Sequence, residues 1–422
     1  TSVVCRAMES IIRDNLMYHL VSNNLISDKQ HGFVPRRACV TNLLETVDFT
    51  TNNLHKKTPT DIIFLDFSKA FDKVSHRRLL LKLEAYGIKG QILAWLSAFL
   101  SNRRQRVVLG DTASDWENVF SGVPQGSVLG PTLFIVYIND LAWNIENVCK
   151  LFADDCKLIA SVNDEVDAIR LQKDLDSVSA WCNEWKMELN TEKCHVMHFG
   201  RNNIRHDYTI SSGINRAEST LKKTTRERDL GIIITPDLKW QDQVCSSAAK
   251  ASRMLGVLKN TFTTRDAMLW KKLYTTYIRP HLEFAVAAWN PYLKKDIETL
   301  ERVQHRSTKV SGSLKNMSYE ERCKRLGLST LVERRMRGDM IQQFKIANGL
   351  DTVNWVKQPM VVEGRVGKRP QLRREVVNNC AQRHNFFSNR IVNEWNKLAD
   401  ETTRAQTTNG FKSRFDGEQV AT

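Results

Sequence analysis

Phe152-Ala153-Asp154-Asp155 separates two apolar runs, Val148-Cys149-Lys150-Leu151 before it and Cys156-Lys157-Leu158-Ile159-Ala160 after it. Apolar runs that meet at two polar residues read as a β-hairpin. The tip of this hairpin is a pair of adjacent carboxylates. Successive side chains of a strand point to opposite faces, so Asp154 and Asp155 are directed to different sides. Carboxylates held close together repel unless a cation lies between them. Asp is also a favoured turn residue, and a solvated Asp-Asp turn is the ordinary use of such a pair.

A second stretch, upstream, changes that reading: Ile62-Ile63-Phe64-Leu65-Asp66-Phe67-Ser68-Lys69-Ala70-Phe71-Asp72. Its unbroken apolar run predicts a strand buried on both faces. The run ends on Asp66, and a carboxylate at the end of a buried strand needs a partner. With this strand beside the hairpin, Asp66 faces Asp154 and Asp155 stands close by. Three carboxylates converging from two strands present the oxygen ligands that hard divalent cations prefer. Two such ions, about 4 Å apart, clamp in-line phosphoryl transfer.

Composition narrows the partners. A chain of 422 residues predicts two or three domains, and 41% hydrophobic residues exclude a disordered protein. The net charge of +15 points to a polyanion, nucleic acid first. From Glu301 to Thr422 there are 23 Lys and Arg against 13 Asp and Glu, so +10 of the excess sits in under a third of the chain. Charge runs are usually solvated faces. Here the excess through Arg322, Arg325, Arg334, Arg335 and Arg337, and the run Arg365 to Arg374, is read as contact with template or primer. Nine cysteines without a Cys-x-x-Cys pair fit a reducing compartment. Cys182, Cys194, His195 and His198 form a loose cluster whose spacing matches no usual zinc finger. No apolar run approaches 18 residues, so no membrane partner is expected. The first residue is Thr, which reads as a piece of a longer product.

Helical spacing is predicted over Ser2 to Leu25, His76 to Tyr86, Gln91 to Leu100, Asn163 to Leu189 and most of Gln243 to Gln304. The Gly/Pro loop from Gln30 to Cys39 carries adjacent Arg36 and Arg37, able to bind phosphate or to stand as a solvated turn. Ser121-Gly122-Val123-Pro124-Gln125-Gly126-Ser127-Val128-Leu129-Gly130-Pro131 is a glycine-rich loop that lets backbone approach a ligand, and Pro131 fits the first turn of the following helix. Asp229 to Pro236 reads as a β run closing in a turn. The order of elements predicts an α+β fold with a split βαβ core and helices on one face.

FLDFSKAFDKVSH, SGVPQGSVLGP and FADD, in that order, resemble the motifs of reverse transcriptases. The likeness to polymerases of jockey-type non-LTR (LINE) retrotransposons runs from Thr1 to the vicinity of Asp416. It implies a right-hand polymerase with partial fingers over 1–60, a palm with finger insertions over 61–240, a helical thumb over 241–312 and a basic helical extension over 313–422. It implies Asp66, Asp154 and Asp155 as ligands of two Mg²⁺ ions, with Mn²⁺ as a substitute, and Lys193 as the acid that protonates pyrophosphate. Arg37 matches the residue that contacts the incoming triphosphate. Gln125, Gly126 and Ser127 match a loop that packs against the templating base pair and the nucleotide. Phe67 and Phe71 fall at the nucleotide site; Phe71 matches the aromatic that lies under the sugar and excludes a 2′-hydroxyl, although alone it reads as a core aromatic. Asp229 to Pro236 resembles the primer grip.

The implied partners are an RNA template, a DNA primer or target, deoxynucleoside triphosphates and the element's RNA as a ribonucleoprotein. The implied location is the nucleus, after assembly in the cytoplasm. The fingers look truncated at the N-terminus, and Val34 and Ala38 depart from the family pattern. Two other readings stay open: an inactive truncated relic that only binds nucleic acid, and an RNA polymerase. Phe71 disfavours the second, because such enzymes carry Asp at that offset.

Overall fold

The computed structural model describes residues 2–212, 217–363 and 369–421. Helices α1 (Val3–Ser22) and α2 (Cys39–Lys56) lead into β1 (Thr60–Leu65), α3 (His76–Ala85) and α4 (Gly90–Leu100). Short strands β2 (Arg103–Gln105), β3 (Val108–Leu109), β4 (Thr112–Ala113) and β5 (Glu117–Val119) precede α5 (Gly130–Ile138). Then come the hairpin β6 (Val148–Phe152) and β7 (Asp155–Ser161), α6 (Glu165–Trp185), β8 (His195–Phe199), β9 (Thr209–Ser212), β10 (Ala217–Thr220) and β11 (Lys222–Lys223). From α7 (Gln241–Thr261) onward the chain is mostly helical. Among the described residues no helix is long and apolar enough to cross a membrane.

The chain forms two compact units, one of Thr1–Ala38 with Pro59–Thr224, the other of Cys39–Thr58 with Thr225–Thr422. These units cut the sequence elsewhere than the four segments read from the resemblance. In particular, α2 belongs with the C-terminal half and not with residues 1–38.

The first unit has the α+β composition expected of it. Its sheet runs in the order β11-β8-β1-β7-β6, with β1 central and antiparallel to both neighbours. All six residues of β1 are buried, which explains the unbroken apolar run. Ile63, Leu65 and Phe67, spaced two apart, share one core with Leu133, Leu175 and Val178 of α5 and α6. Beside this core, Lys82 of α3 is buried; its Nζ donates to the Tyr137 carbonyl at 2.6 Å and to Asp140 Oδ1 at 2.7 Å. Burial lowers the Lys82 pKa to about 8, against the pull of Asp140. The unfolded value lies near 10.5, so between pH 8 and 10.5 the unfolded chain holds more protons. Stability from this site therefore rises with pH across that window, and the cost of the buried charge is fully present below it. Lys82→Met strands Asp140 and should cost about 3 kcal/mol at pH 7 in urea unfolding; a loss under about 1 kcal/mol would show that the pair contributes nothing net.

The second unit is mostly helical, with a tight hairpin, Glu227–Asp229 against Ile232–Ile234, and a further antiparallel pair, Met360–Val362 against Gln371–Arg373. The hairpin's turn residues Leu230 and Gly231 both have positive φ (44° and 90°), as a two-residue turn of this hand requires. The single β run read at Asp229 to Pro236 is thus two strands. Trp270, Tyr274 and Trp289 are buried core, whereas Tyr277 is exposed. The arginines read as nucleic-acid contacts are in large part spent inside this unit. Arg322 and Arg335 are buried, Arg334 forks onto Glu283 at 2.8 and 2.9 Å, and Arg337 forks onto Asp416 at 2.6 and 2.8 Å. Arg325, Arg373 and Arg374 are exposed, and residues 364–368 of the basic run lie outside the described residues. Helix α2 packs here through its polar side chains: Asp48 Oδ1 accepts from Arg383 Nη1 at 2.6 Å, with both side chains at most 1% exposed.

Candidate active site

Strand pairing builds the site. Leu65 pairs with Cys156 across β1 and β7, and Phe152 pairs with Asp155 across β6 and β7. Asp66 thus follows directly on the central strand, and Ala153-Asp154 form the tip of the adjacent hairpin. Ala153 takes φ +54°, an uncommon conformation for a residue with a Cβ, so the turn is held by its surroundings. The Asp66 main chain is pinned on both sides. Asn190 N–H donates to its carbonyl at 2.8 Å, and its own N–H lies 3.5 Å from Cys194 Sγ.

Burial raises the Asp154 carboxyl above its ordinary range, and the charge of Asp66 raises it further. Asp154 therefore senses the charge of Asp66. Lys193 Nζ reaches Asp66 Oδ2 at 3.4 Å from an exposed turn. Asp155 opens β7 and is exposed. Among the described residues no three His, Cys, Asp or Glu side chains are placed to hold a metal ion. The expected hairpin tip of two carboxylates is corrected: the turn is Ala153-Asp154, and Asp155 pairs with Phe152 as the first residue of β7. Cys182, Cys194, His195 and His198 form no metal group either; burial pushes the Cys194 thiol up to about 11. The pair Asp66 and Asp154 fits a hard divalent cation. Its donors are carboxylate oxygens, they repel each other, and partial burial makes an uncompensated charge costly.

The Arg37 loop is docked on the same hairpin. His31 N–H donates to the Leu151 carbonyl at 2.9 Å, and Gln30 Oε1 accepts from Gly32 N–H at 2.8 Å and from Ala153 N–H at 3.0 Å. A Cβ on Gly32 would lie 2.4 Å from the Ala153 nitrogen, so only glycine allows this approach. Arg37, partly buried, is thus tied through its loop to the carboxylate turn. Gln30 is 1% exposed. Its role was missed, since a glutamine in a polar loop gives no sign that it will be buried.

The glycine-rich loop is docked on the segment after Asp66. Ser121 Oγ donates to the Asp72 carbonyl at 2.8 Å, Val123 N–H to the Phe71 carbonyl at 2.9 Å, and Gln125 Nε2 to Asp72 Oδ1 at 2.8 Å. Asp72 therefore orients Gln125, a role the sequence did not reveal. Gly126 has φ +80° and open space about it, so it is the backbone conformation that asks for glycine. Phe71 is partly buried and stacks on Phe134, with ring centroids 4.3 Å apart.

Two expected contacts are corrected. Phe67 is 5% exposed and meets Trp181 edge-on at 6.4 Å, so its side chain is core. Ser127 spends its hydroxyl inside the loop, donating to the Pro124 carbonyl at 2.6 Å and accepting from Gly130 N–H at 2.9 Å. A further residue was missed. Glu9 of α1, 2% exposed, accepts from the N–H groups of Val128 and Leu129 at 2.7 and 3.1 Å and so caps the entry to α5.

Comparison with known proteins bears on the same residues. The family described as "Reverse transcriptase (RNA-dependent DNA polymerase)" matches residues 1–257. The RNA-directed DNA polymerase from mobile element jockey of Drosophila funebris is 24% identical over 323 residues, covering 73% of this chain and 34% of that protein. The probable RNA-directed DNA polymerase from transposon BS of Drosophila melanogaster is 25% identical over 330 residues, covering 73% and 35%. This chain thus spans about a third of the length of these relatives. Among solved structures, apo telomerase from Candida tropicalis is similar at TM-score 0.42 and 10% identity, over 75% of this chain and 51% of that one.

Proposed function

This chain belongs to the reverse transcriptase family, and on that premise we propose that it is the RNA-directed DNA polymerase of a jockey-like non-LTR retrotransposon. It would add deoxynucleotides to a primer 3′-hydroxyl against an RNA template. The observation that carries the reading is the apposition of Asp66 and Asp154 at the ends of neighbouring strands, where burial and then the charge of Asp66 raise the cost of charging Asp154. These two carboxylates would hold Mg²⁺, or Mn²⁺ in its place, with Asp155 assisting. Bound divalent ions lower the pKa of an attacking hydroxyl and offset charge on the reacting phosphate.

The other residues take their parts from where the fold leaves them. Arg37, on the loop tied to the carboxylate turn, offers a guanidinium to the triphosphate. Gln125, held by Asp72, and Gly126 present the loop edge to the nascent base pair. Lys193, beside Asp66, carries a proton that it can give to the pyrophosphate oxygen. Phe71, fixed on one ring face by Phe134, leaves its remaining edge for the sugar. Phe71→Ala should admit ribonucleotides, lowering deoxy-over-ribo discrimination in single-nucleotide incorporation roughly tenfold or more. An unchanged sugar preference would remove Phe71 from that role.

The proposed partners are an RNA template, a DNA primer or target and the element RNA in a ribonucleoprotein. The proposed setting is the nucleus, after cytoplasmic assembly. A second reading, nucleic-acid binding without polymerisation, draws on the net charge of +15, which suits a polyanion whether or not chemistry follows. Primer extension on an RNA template with deoxynucleotides and Mg²⁺ separates the two. Chelator-sensitive extension supports the polymerase, whereas tight, salt-sensitive binding without extension supports the binder.

A further inference from the structure

We propose that the outer face of the β2–β5 hairpin is a stacking platform for an unpaired nucleic-acid strand, the template stretch adjoining the polymerase site. The claim rests on the polymerase reading for the identity of the strand, but not for its test. Arg103 pairs with Val119, Arg104 with Asn118 and Gln105 with Glu117. Opposed residues share a face and neighbours alternate. Arg104 and Asn118 therefore lie on one face, and the same parity brings Arg106, Trp116 and Phe120 to it. The contacts agree: the guanidiniums of Arg104 and Arg106 lie over the Trp116 ring, 5.6 and 4.7 Å from its centroid. Partly buried Arg103 and Val119, and acidic Glu117, take the other face.

Trp116 is 53% exposed and Phe120 is 84% exposed. Two large aromatics in water, four residues and about 13 Å apart along one strand, are not a core. They offer π-faces on which splayed bases can stack, and the paired guanidiniums suit the phosphates between those bases. Charge complementarity thus selects a polyanion with stackable groups, and flat aromatics on a sheet favour a single strand over a closed duplex. The platform also leads straight into the candidate site. Phe120 precedes Ser121, whose hydroxyl is bonded to the Asp72 carbonyl, and Gly122, whose N–H donates to the Val74 carbonyl at 2.8 Å.

The test uses the purified full chain and a fluorescent RNA–DNA duplex, either blunt or carrying an unpaired RNA extension of about six nucleotides at the template 5′ end. Wild type should bind the tailed duplex at least about tenfold more tightly than the blunt one. Trp116→Ala with Phe120→Ala should abolish that preference, leaving blunt-duplex affinity and the thermal midpoint unchanged. Arg104→Gln with Arg106→Gln should shallow the salt dependence of tail binding by about 1.4 in log–log slope. A wild type without tail preference, or aromatic variants that keep it, overturns the platform. So does light scattering that shows self-association of wild type, lost in the aromatic variants, in place of tail preference. Tail preference that depends on these residues in a chain that extends no primer upholds the platform and removes the polymerase reading instead.

Discussion

Asp154→Asn is expected to lower single-nucleotide primer extension by about 10³-fold or more. Stabilising charge on a reacting phosphate is worth several kcal/mol, and each 1.36 kcal/mol is a decade in rate. The amide keeps the size and turn geometry of the carboxylate while removing one of two oxygen anions. In metal-free buffer the same variant should be at least as stable as wild type. It removes a charge that burial disfavours and that Asp66 repels. The two measurements, extension and thermal unfolding, are expected to move in opposite directions, which separates loss of chemistry from loss of fold. Extension within tenfold of wild type would show that Asp154 holds no reacting group. A fall in thermal midpoint would show that the turn needs the carboxylate itself.

Arg383→Ala should destabilise the second unit by about 3–5 kcal/mol, a large share of the ~5–15 kcal/mol that holds a typical domain. Arg383 bonds Asp48 Oδ1 at 2.6 Å and Glu375 Oε2 at 2.7 Å, and the Asp48 side chain has no exposure at all. Burial already pushes the Asp48 carboxyl up, with Arg383 as the main influence holding it down. Without the guanidinium the buried carboxylate keeps its main-chain hydrogen bond from Val356 but loses its counter-ion, and the carboxyl is driven to take up a proton. The double variant Asp48→Leu with Arg383→Leu should recover most of the loss, since a buried pair exchanged for apolar groups is often near neutral. Denaturant unfolding of the three proteins checks this. A single-variant loss below about 1 kcal/mol would mean that Asp48 finds water or another partner.

What the sequence made legible was local. The buried central strand ending on Asp66, and a hairpin turning at Asp154, follow from apolar runs and turn residues within a few positions of each other, although the tip is Ala153-Asp154, one residue before the carboxylate pair read as the tip. Phe67 was misread although the signal existed: it lies two residues past Leu65 and so on the same inward face. Ser127 was misread because a serine between Pro124 and Gly130 has two uses for its hydroxyl, and the loop's own carbonyl takes it. Other features had no local signal. The polar helix α2, with Thr46, Asp48, Thr50 and Asn52 all buried, looks solvent-facing until residues far downstream cover it. The basic excess of the C-terminal third looked available to a ligand because counting charges does not reveal that Glu283 and Asp416 already engage Arg334 and Arg337.

The position of α2 has a temporal consequence. Its Glu45 and Asp48 accept hydrogen bonds from the main chain at Asn354 and Val356, and Asp48 pairs with Arg383, 335 positions later. At ~5–20 residues per second, a ribosome takes roughly 15–70 s to deliver that arginine. Through that interval a finished helix, bearing a carboxylate meant for the interior, waits on the nascent chain. The second unit closes only once Arg383 has been made, so translation interrupted before that point releases a chain whose sheet can form but whose helical half cannot.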